Sequence, residues 1–215
     1  MRKQGLLITF EGPDGAGKTT QINKFAAYLK QRKQCEFIVT REPGGTAISD
    51  QIRSLLLNPA HKEMVDEAEV LLYAASRAQH VQEKIVPALD KGMIVLCDRF
   101  VDASVAYQGY GLEIDVNTIL NINEFATGGL SPHRTYLLDI SPQTARQRLI
   151  TRYKQQGLDR IEQKQYEFHE RVRNGFFRLY EENRERICFI DGDQTADEIF
   201  REIVKDFETF CQKLK

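Results

Sequence analysis

Five short apolar runs punctuate the chain: Leu6–Phe10, Glu36–Thr40, Met93–Cys97, Thr135–Asp139 and Ile187–Ile190. Several are nearly continuous in apolar residues, as in strands covered by helices on both faces. The segments between them are long enough for helical crossovers. One helix-like segment spans Thr19–Leu29, and another runs to Leu57 behind Thr46, a good capping residue. Asp66–Asp90 reads as one long helix, with Leu71, Ala74, Ala78, Val81 and Ile85 at spacings of three and four forming its core stripe. Further helices are predicted from Pro142, where a missing N–H is harmless, up to about Asn183, and again from Thr195. No repeat, low-complexity tract or linker divides residues 1–215. The pattern predicts a single α/β domain with a doubly wound, parallel five-stranded sheet flanked by helices. Ligands of such sheets sit beyond the carboxyl ends of the strands, so the chemistry is sought there.

After the first strand comes Gly12-Pro13-Asp14-Gly15-Ala16-Gly17-Lys18-Thr19, which fits Gly, four residues, Gly-Lys-[Ser/Thr] and leads into a helix through Thr20. Glycines let the backbone turn its N–H groups onto a phosphate chain, and the helix N-terminus adds its dipole. Lys18 then reaches the β/γ-phosphates and the Thr19 hydroxyl ligates Mg²⁺. This makes the fold P-loop NTPase-type.

The second strand runs into Arg41-Glu42-Pro43-Gly44-Gly45-Thr46. A tight turn explains the Pro-Gly-Gly, but not Arg41 and, further on, Arg53 at the ligand edge, and these are read as substrate-side cations. Tyr73 and Arg77 share a helix face and suit the gripping of a flat base. The same spacing also describes a half-buried Tyr beside an Arg whose head reaches water. Asp98 closes the third strand, placed to orient Mg²⁺, and Arg99 beside it can fork onto a phosphate, although such a pair is often only an ion pair. Ser104, Tyr107 and Gln108 follow, with groups suited to a sugar or base edge. Past Pro142, Arg146, Arg148, Arg152 and Lys154 flank a Gly157 break, so residues 148–162 read as a lid whose cations meet phosphates. A solvated basic helix face is the plain alternative. The Gly192 loop after the last strand offers backbone contacts to a base.

A net charge of −1 argues against an electrostatic binder of nucleic acid polymers. The four cysteines (Cys35, Cys97, Cys188, Cys211) show no CxxC spacing, which suits a reducing cytoplasm. His61, His80, His133 and His169 form no ligand set and read as structural or surface residues. There is no signal-like N-terminus and no apolar run near 18 residues, so neither secretion nor a membrane span is expected.

The segments Phe10–Thr20, Arg41–Thr46, Tyr73–Gln79, Asp98–Phe100, Ala106–Gly109 and Leu158–Glu162 together resemble the thymidylate kinases, in family order and over most of the chain. That resemblance implies a nucleoside monophosphate kinase-like fold with a lid, and the reaction ATP + dTMP → ADP + dTDP with Mg²⁺. It implies ATP on Gly12 through Thr20, with Thr19 and Asp98 at the metal. On the dTMP side, Tyr73 would take the stacking place where the family more often has Phe, and Arg77 would bond thymine O4. Ser104 and Gln108 would meet the base, Arg53 and Arg99 the phosphate, and Tyr107 the deoxyribose, with Arg41 on the same side. Asp14 would lie near the acceptor nucleotide and its ion. Some members carry a catalytic Arg in the phosphate loop where this chain has Gly15; the chain therefore resembles the bacterial type that supplies it from the lid. Arg152 is the first choice for that cation and Lys154 the second, Lys lacking the guanidinium fork. A homodimer built on helices near Asp66–Asp90 is also implied. A deoxynucleoside kinase of the same fold would not need both Arg53 and Arg99. A nucleotide-dependent switch would need Asn-Lys-x-Asp, which Asn23-Lys24-Phe25-Ala26 is not.

Overall fold

The computed structural model describes residues 5–32, 36–153 and 157–213, without the side chains of 152 and 153. Five strands, β1 Leu6–Glu11, β2 Phe37–Arg41, β3 Ile94–Asp98, β4 Arg134–Asp139 and β5 Ile187–Asp191, form one parallel sheet ordered β2-β3-β1-β4-β5. Four of them run one residue past the predicted apolar stretches. The ladder continues through the pairs Arg41↔Asp98 and Asp139↔Asp191, so charged side chains belong to the strands and line the carboxyl edge.

The helices are α1 Lys18–Arg32, α2 Ala47–Leu57, α3 Asp66–His80, α4 Val86–Asp90, α5 Val101–Ser104, α6 Val116–Thr127, α7 Pro142–Tyr153, α8 Tyr166–Glu182 and α9 Ala196–Lys213. Thr46 caps α2 by accepting from the Ser49 N–H at 3.3 Å. Thr195 and Glu198 close a reciprocal capping box on α9. The segment expected as one helix from Asp66 to Asp90 is interrupted by a π-helical turn, Val81–Ile85. Its core stripe also differs: Leu71 is 59% exposed, and Val70 beside it is buried. Ala74, Val81 and Ile85 of the expected stripe are buried, and the departure is at its start, where α3 packs between α2 and α6. Residues 101–127, assigned no element from sequence, form α5, a second π turn (Val105–Gly111) and α6. Gly111 is needed there because a Cβ would lie 2.7 Å from the Phe168 ring of α8.

The sheet packs on α1 and α9 through Phe10, Phe25, Tyr136 and Phe207, with Phe10 and Tyr136 rings 5.4 Å apart and Phe25 and Phe207 5.0 Å apart. Each such buried side chain contributes about 2 kcal/mol, so the β1–loop–α1 unit rests on a firm base. On the other face α8 covers the second π turn through Phe168, Val172 and Phe176, against Tyr107. Among the described residues no helix is long and apolar enough to cross a membrane.

Candidate active site

The phosphate loop leaves β1 at the middle of the sheet. Gly12 stands at φ +126, and a Cβ there would fall 2.1 Å from the Leu138 carbonyl oxygen, so only glycine lets the loop pass β4. Buried Lys18 folds back over the loop and donates to the Gly12 and Pro13 carbonyls at 3.0 and 2.9 Å. Burial, then the nearby Arg99, lowers its ammonium to about 8, against the pull of Asp14 and Asp98. The Thr19 hydroxyl donates to Asp98 Oδ2 at 3.0 Å, which unites a hydroxyl and a carboxylate from β1–α1 and β3. Such a hard-oxygen pair fits Mg²⁺.

Arg99 follows Asp98 at φ +66, a left-handed conformation costing about 1–2 kcal/mol for a residue with a Cβ. The turn brings its guanidinium back under the loop. Nη1 donates to the Gly12 carbonyl at 3.1 Å, and Nη2 to Asp14 Oδ1 at 2.7 Å and to the Tyr107 hydroxyl at 3.1 Å. Tyr107 in turn donates to Asp14 Oδ2 at 2.8 Å. Burial alone would raise the Asp14 carboxyl, but Arg99, Lys18 and the Tyr107 hydroxyl hold it well below the usual range.

Beyond this triangle lies a slot lined by Asp14, Arg53, Tyr73, Arg77, Arg99, Ser104, Tyr107 and Gln108, together with Glu42 and Asp159. Arg77 is 2% exposed, so its head does not reach water along the surface. Its Nε donates to Glu42 Oε2 at 2.6 Å, Nη1 to Ser104 Oγ at 2.9 Å and to Asn123 Oδ1, and Nη2 to the Phe100 carbonyl at 2.9 Å. These bonds engage four of the five guanidinium donors. Glu42 is fixed from behind by His80, which also meets Thr40. Gln108 donates to Glu69 Oε1 at 2.9 Å, and Arg160 holds the other Glu69 oxygen at 2.7 Å. Arg53 donates to the Pro43 carbonyl at 2.9 Å, which leans it toward the slot.

A second pocket over the loop is lined by Gly15, Gly17, Lys18, Thr19, Thr20, Asp98 and Arg148, and it shares Asp14, Glu42, Arg53, Arg99 and Asp159 with the slot. Arg41 faces this pocket rather than the slot, and its exposed side chain pairs with Asp50 at 3.1 Å. Arg148, one of several lid-helix cations in sequence, spans from the Gly15 carbonyl (3.3 Å) to the Gly192 carbonyl (3.1 Å), joining the loop to the last strand's turn. Arg152 lies in the last turn of α7 with its side chain outside the described part, and Lys154 lies outside the described residues. At the far end of the expected lid, Arg160 is bolted down by Glu69 and the Leu56 carbonyl.

Sequence reasoning gave no role to Glu42, Asn123, Glu69 or Asp159, although Glu42 and Asp159 stand inside quoted motifs. Burial raises the Asp159 carboxyl, and Asp14 adds to the effect. Glu42, His80 and Cys97 offer ligand atoms within 4.8 Å of one another. Glu42 is already committed to Arg77 and His80, and burial pushes the Cys97 thiol well up, so this cluster is a structural knot rather than an ion site. The arrangement as a whole can hold one polyphosphate on the loop, a flat ring in the slot, and the charge between them on Arg99, Arg53 and Lys18.

A family model described as "Thymidylate kinase" matches residues 10–203. The chain is 52% identical over 200 residues to a thymidylate kinase of an Exiguobacterium species, covering 93% of this chain and 92% of that one. It is 48% identical over 194 residues to a thymidylate kinase of Enterococcus faecalis, covering 90% and 91%. A crystal structure of thymidylate kinase from Ehrlichia chaffeensis superposes with a TM-score of 0.76 at 32% identity, over 95% of this chain and 99% of the other.

Proposed function

The chain belongs to the thymidylate kinase family and phosphorylates dTMP, and on that premise we propose that ATP is the donor, Mg²⁺ the ion, and the shared wall of the two pockets the place of transfer. One observation carries the reading: Asp14, Arg53 and Arg99 line both the glycine-loop pocket and the aromatic slot. ATP lies along Gly12–Thr20 with Lys18 at its terminal phosphates. Thr19 and Asp98 hold Mg²⁺, which supplies neutralisation of phosphate charge. Thymine stacks on Tyr73 and is read by Arg77, Ser104 and Gln108, while Tyr107 underlies the deoxyribose. Arg53 and Arg99 hold the dTMP phosphate. That phosphate is an ionised nucleophile, so no general base is required; alignment and charge stabilisation carry the rate.

The lid, residues 148–162, supplies the remaining cation from Arg152 or, failing that, Lys154. The geometry of Gly15 supports a cation from α7: it stands at φ +82, and a Cβ there would lie 3.1 Å from the Ala145 carbonyl oxygen, leaving little room for a loop side chain. A homodimer is supported by large apolar side chains exposed on α2, α3 and α6: Ile48, Leu55, Leu71, Leu120 and the 90%-exposed Phe125. A cytoplasmic location is supported by the free thiols of Cys97 and Cys188. The test is a coupled ADP-release assay with dTMP, dUMP, dCMP, dGMP and thymidine. dTMP is expected to lead; turnover of thymidine at a comparable rate would sink the phosphate-directed role of Arg53 and Arg99.

A further inference from the structure

Glu11 takes part in none of the steps above. It closes β1 beneath the phosphate loop and is 0% exposed. Its Oε1 accepts from the Phe100 backbone N–H at 2.6 Å, and its Oε2 has no hydrogen-bond partner among the described residues. The residue before that N–H is Arg99, the one held in the left-handed conformation. Two anchors keep it there: the Arg99 N–H donates to the Phe10 carbonyl at 3.0 Å, and Glu11 takes the next N–H along. From the same short turn, the Arg99 side chain reaches Asp14 and the Phe100 carbonyl takes Arg77 Nη2.

We infer that Glu11 is a positioning residue for the transfer reaction, fixing through the Phe100 N–H the turn that aims Arg99 at the acceptor phosphate and gives Arg77 one of its acceptors. Phosphate clamp and base reader are thereby held in register by one buried carboxyl. The inference rests on the roles proposed for Arg99 and Arg77.

The carboxyl does this as an acid. Burial, and then Asp102 on α5, raise it from 4.5 to about 8, against Arg99, the Phe100 N–H and Lys18. A neutral carboxyl keeps its carbonyl acceptor and leaves no buried anion with a bare oxygen. Glutamine has the same acceptor and shape, and leucine has the shape alone.

Steady-state kinetics of the full chain with Glu11→Leu and Glu11→Gln, alongside thermal melts, test this. Glu11→Leu is expected to lower kcat/KM for dTMP by about ten- to a hundredfold, with KM for ATP within about twofold. Glu11→Gln is expected to restore it to within about threefold. A folded Glu11→Leu with wild-type dTMP constants, or equal losses in both variants, overturns the proposal. Should Glu11→Leu not fold, Glu11→Gln decides by its activity and its melting temperature. Between 4.5 and about 8 the folded wild type binds a proton that its unfolded chain has released, so its stability falls with rising pH. The Tm advantage of Glu11→Gln should therefore grow across that window and level off above it. A pH-independent difference, or loss of activity in Glu11→Gln, overturns the proposal. Arg99→Ala is measured in parallel. Unchanged dTMP constants there would sink the site assignment itself, whereas a crippled Arg99→Ala beside a normal Glu11→Leu sinks only the role of Glu11.

Discussion

In the slot proposed for dTMP, Arg77 is gripped by Glu42, Ser104, Asn123 and the Phe100 carbonyl, and Gln108 by Glu69, itself tied to Arg160. Across the Asp14–Arg99 wall, the donor pocket is made of turning backbone, an exposed Thr19–Asp98 pair, and Arg148 stretched between two carbonyls at 3.1 and 3.3 Å. The acceptor side is thus set by buried side chains whose directions are fixed before any ligand arrives, which limits the entropy lost on binding. The donor side relies on main-chain groups and charge, which any triphosphate can use. With the proposed site, the contrast leads us to expect base discrimination from the slot and rate from the wall and lid.

Lys18→Ala should give the largest effect, lowering kcat by about a thousandfold or more while the melt stays cooperative. Near-normal turnover would remove the phosphate-loop argument. Arg77→Ala comes next and tests the division directly. KM for dTMP should rise about a hundredfold and KM for ATP by less than about twofold. The same variant leaves Glu42 buried without its cation and should cost about 3–5 kcal/mol in a denaturant titration. An equal rise in both KM values would mean that the two sides are not separately specified. The smallest effects are expected on the lid helix. Arg152→Ala should lower kcat about tenfold with little change in KM, and Arg148→Ala should raise KM for ATP severalfold with dTMP untouched. If only Lys154→Ala lowers kcat, the second-choice lid cation is the operative one.

The phosphate loop was legible because strand, glycines, Lys18 and Thr19 are local in sequence and carry their own geometry. The strands were legible because burial on both faces makes them continuous apolar runs; some of their last residues were not, since Arg41 and Asp191 look like loop residues until a neighbouring strand pairs with them. The supports of the slot were hidden for a different reason. Arg77 meets Glu42 across 35 residues and Asn123 across 46, and Phe100 meets Glu11 across 89. No spacing rule reaches that far. The π turn at Val105–Gly111 was equally hidden, because its need for a small residue at Gly111 comes from Phe168, 57 residues away in sequence.

The Arg160–Glu69–Gln108 chain has a practical side. On the proposed reading the atoms that meet a pyrimidine end at Gln108, yet the orientation of its amide is decided two residues back along the chain of contacts, at Arg160. A survey of inhibitor resistance confined to positions touching the compound would overlook Arg160. Exchange of that one arginine for a neutral residue would unsettle the pocket floor and loosen a base-mimicking drug from a distance.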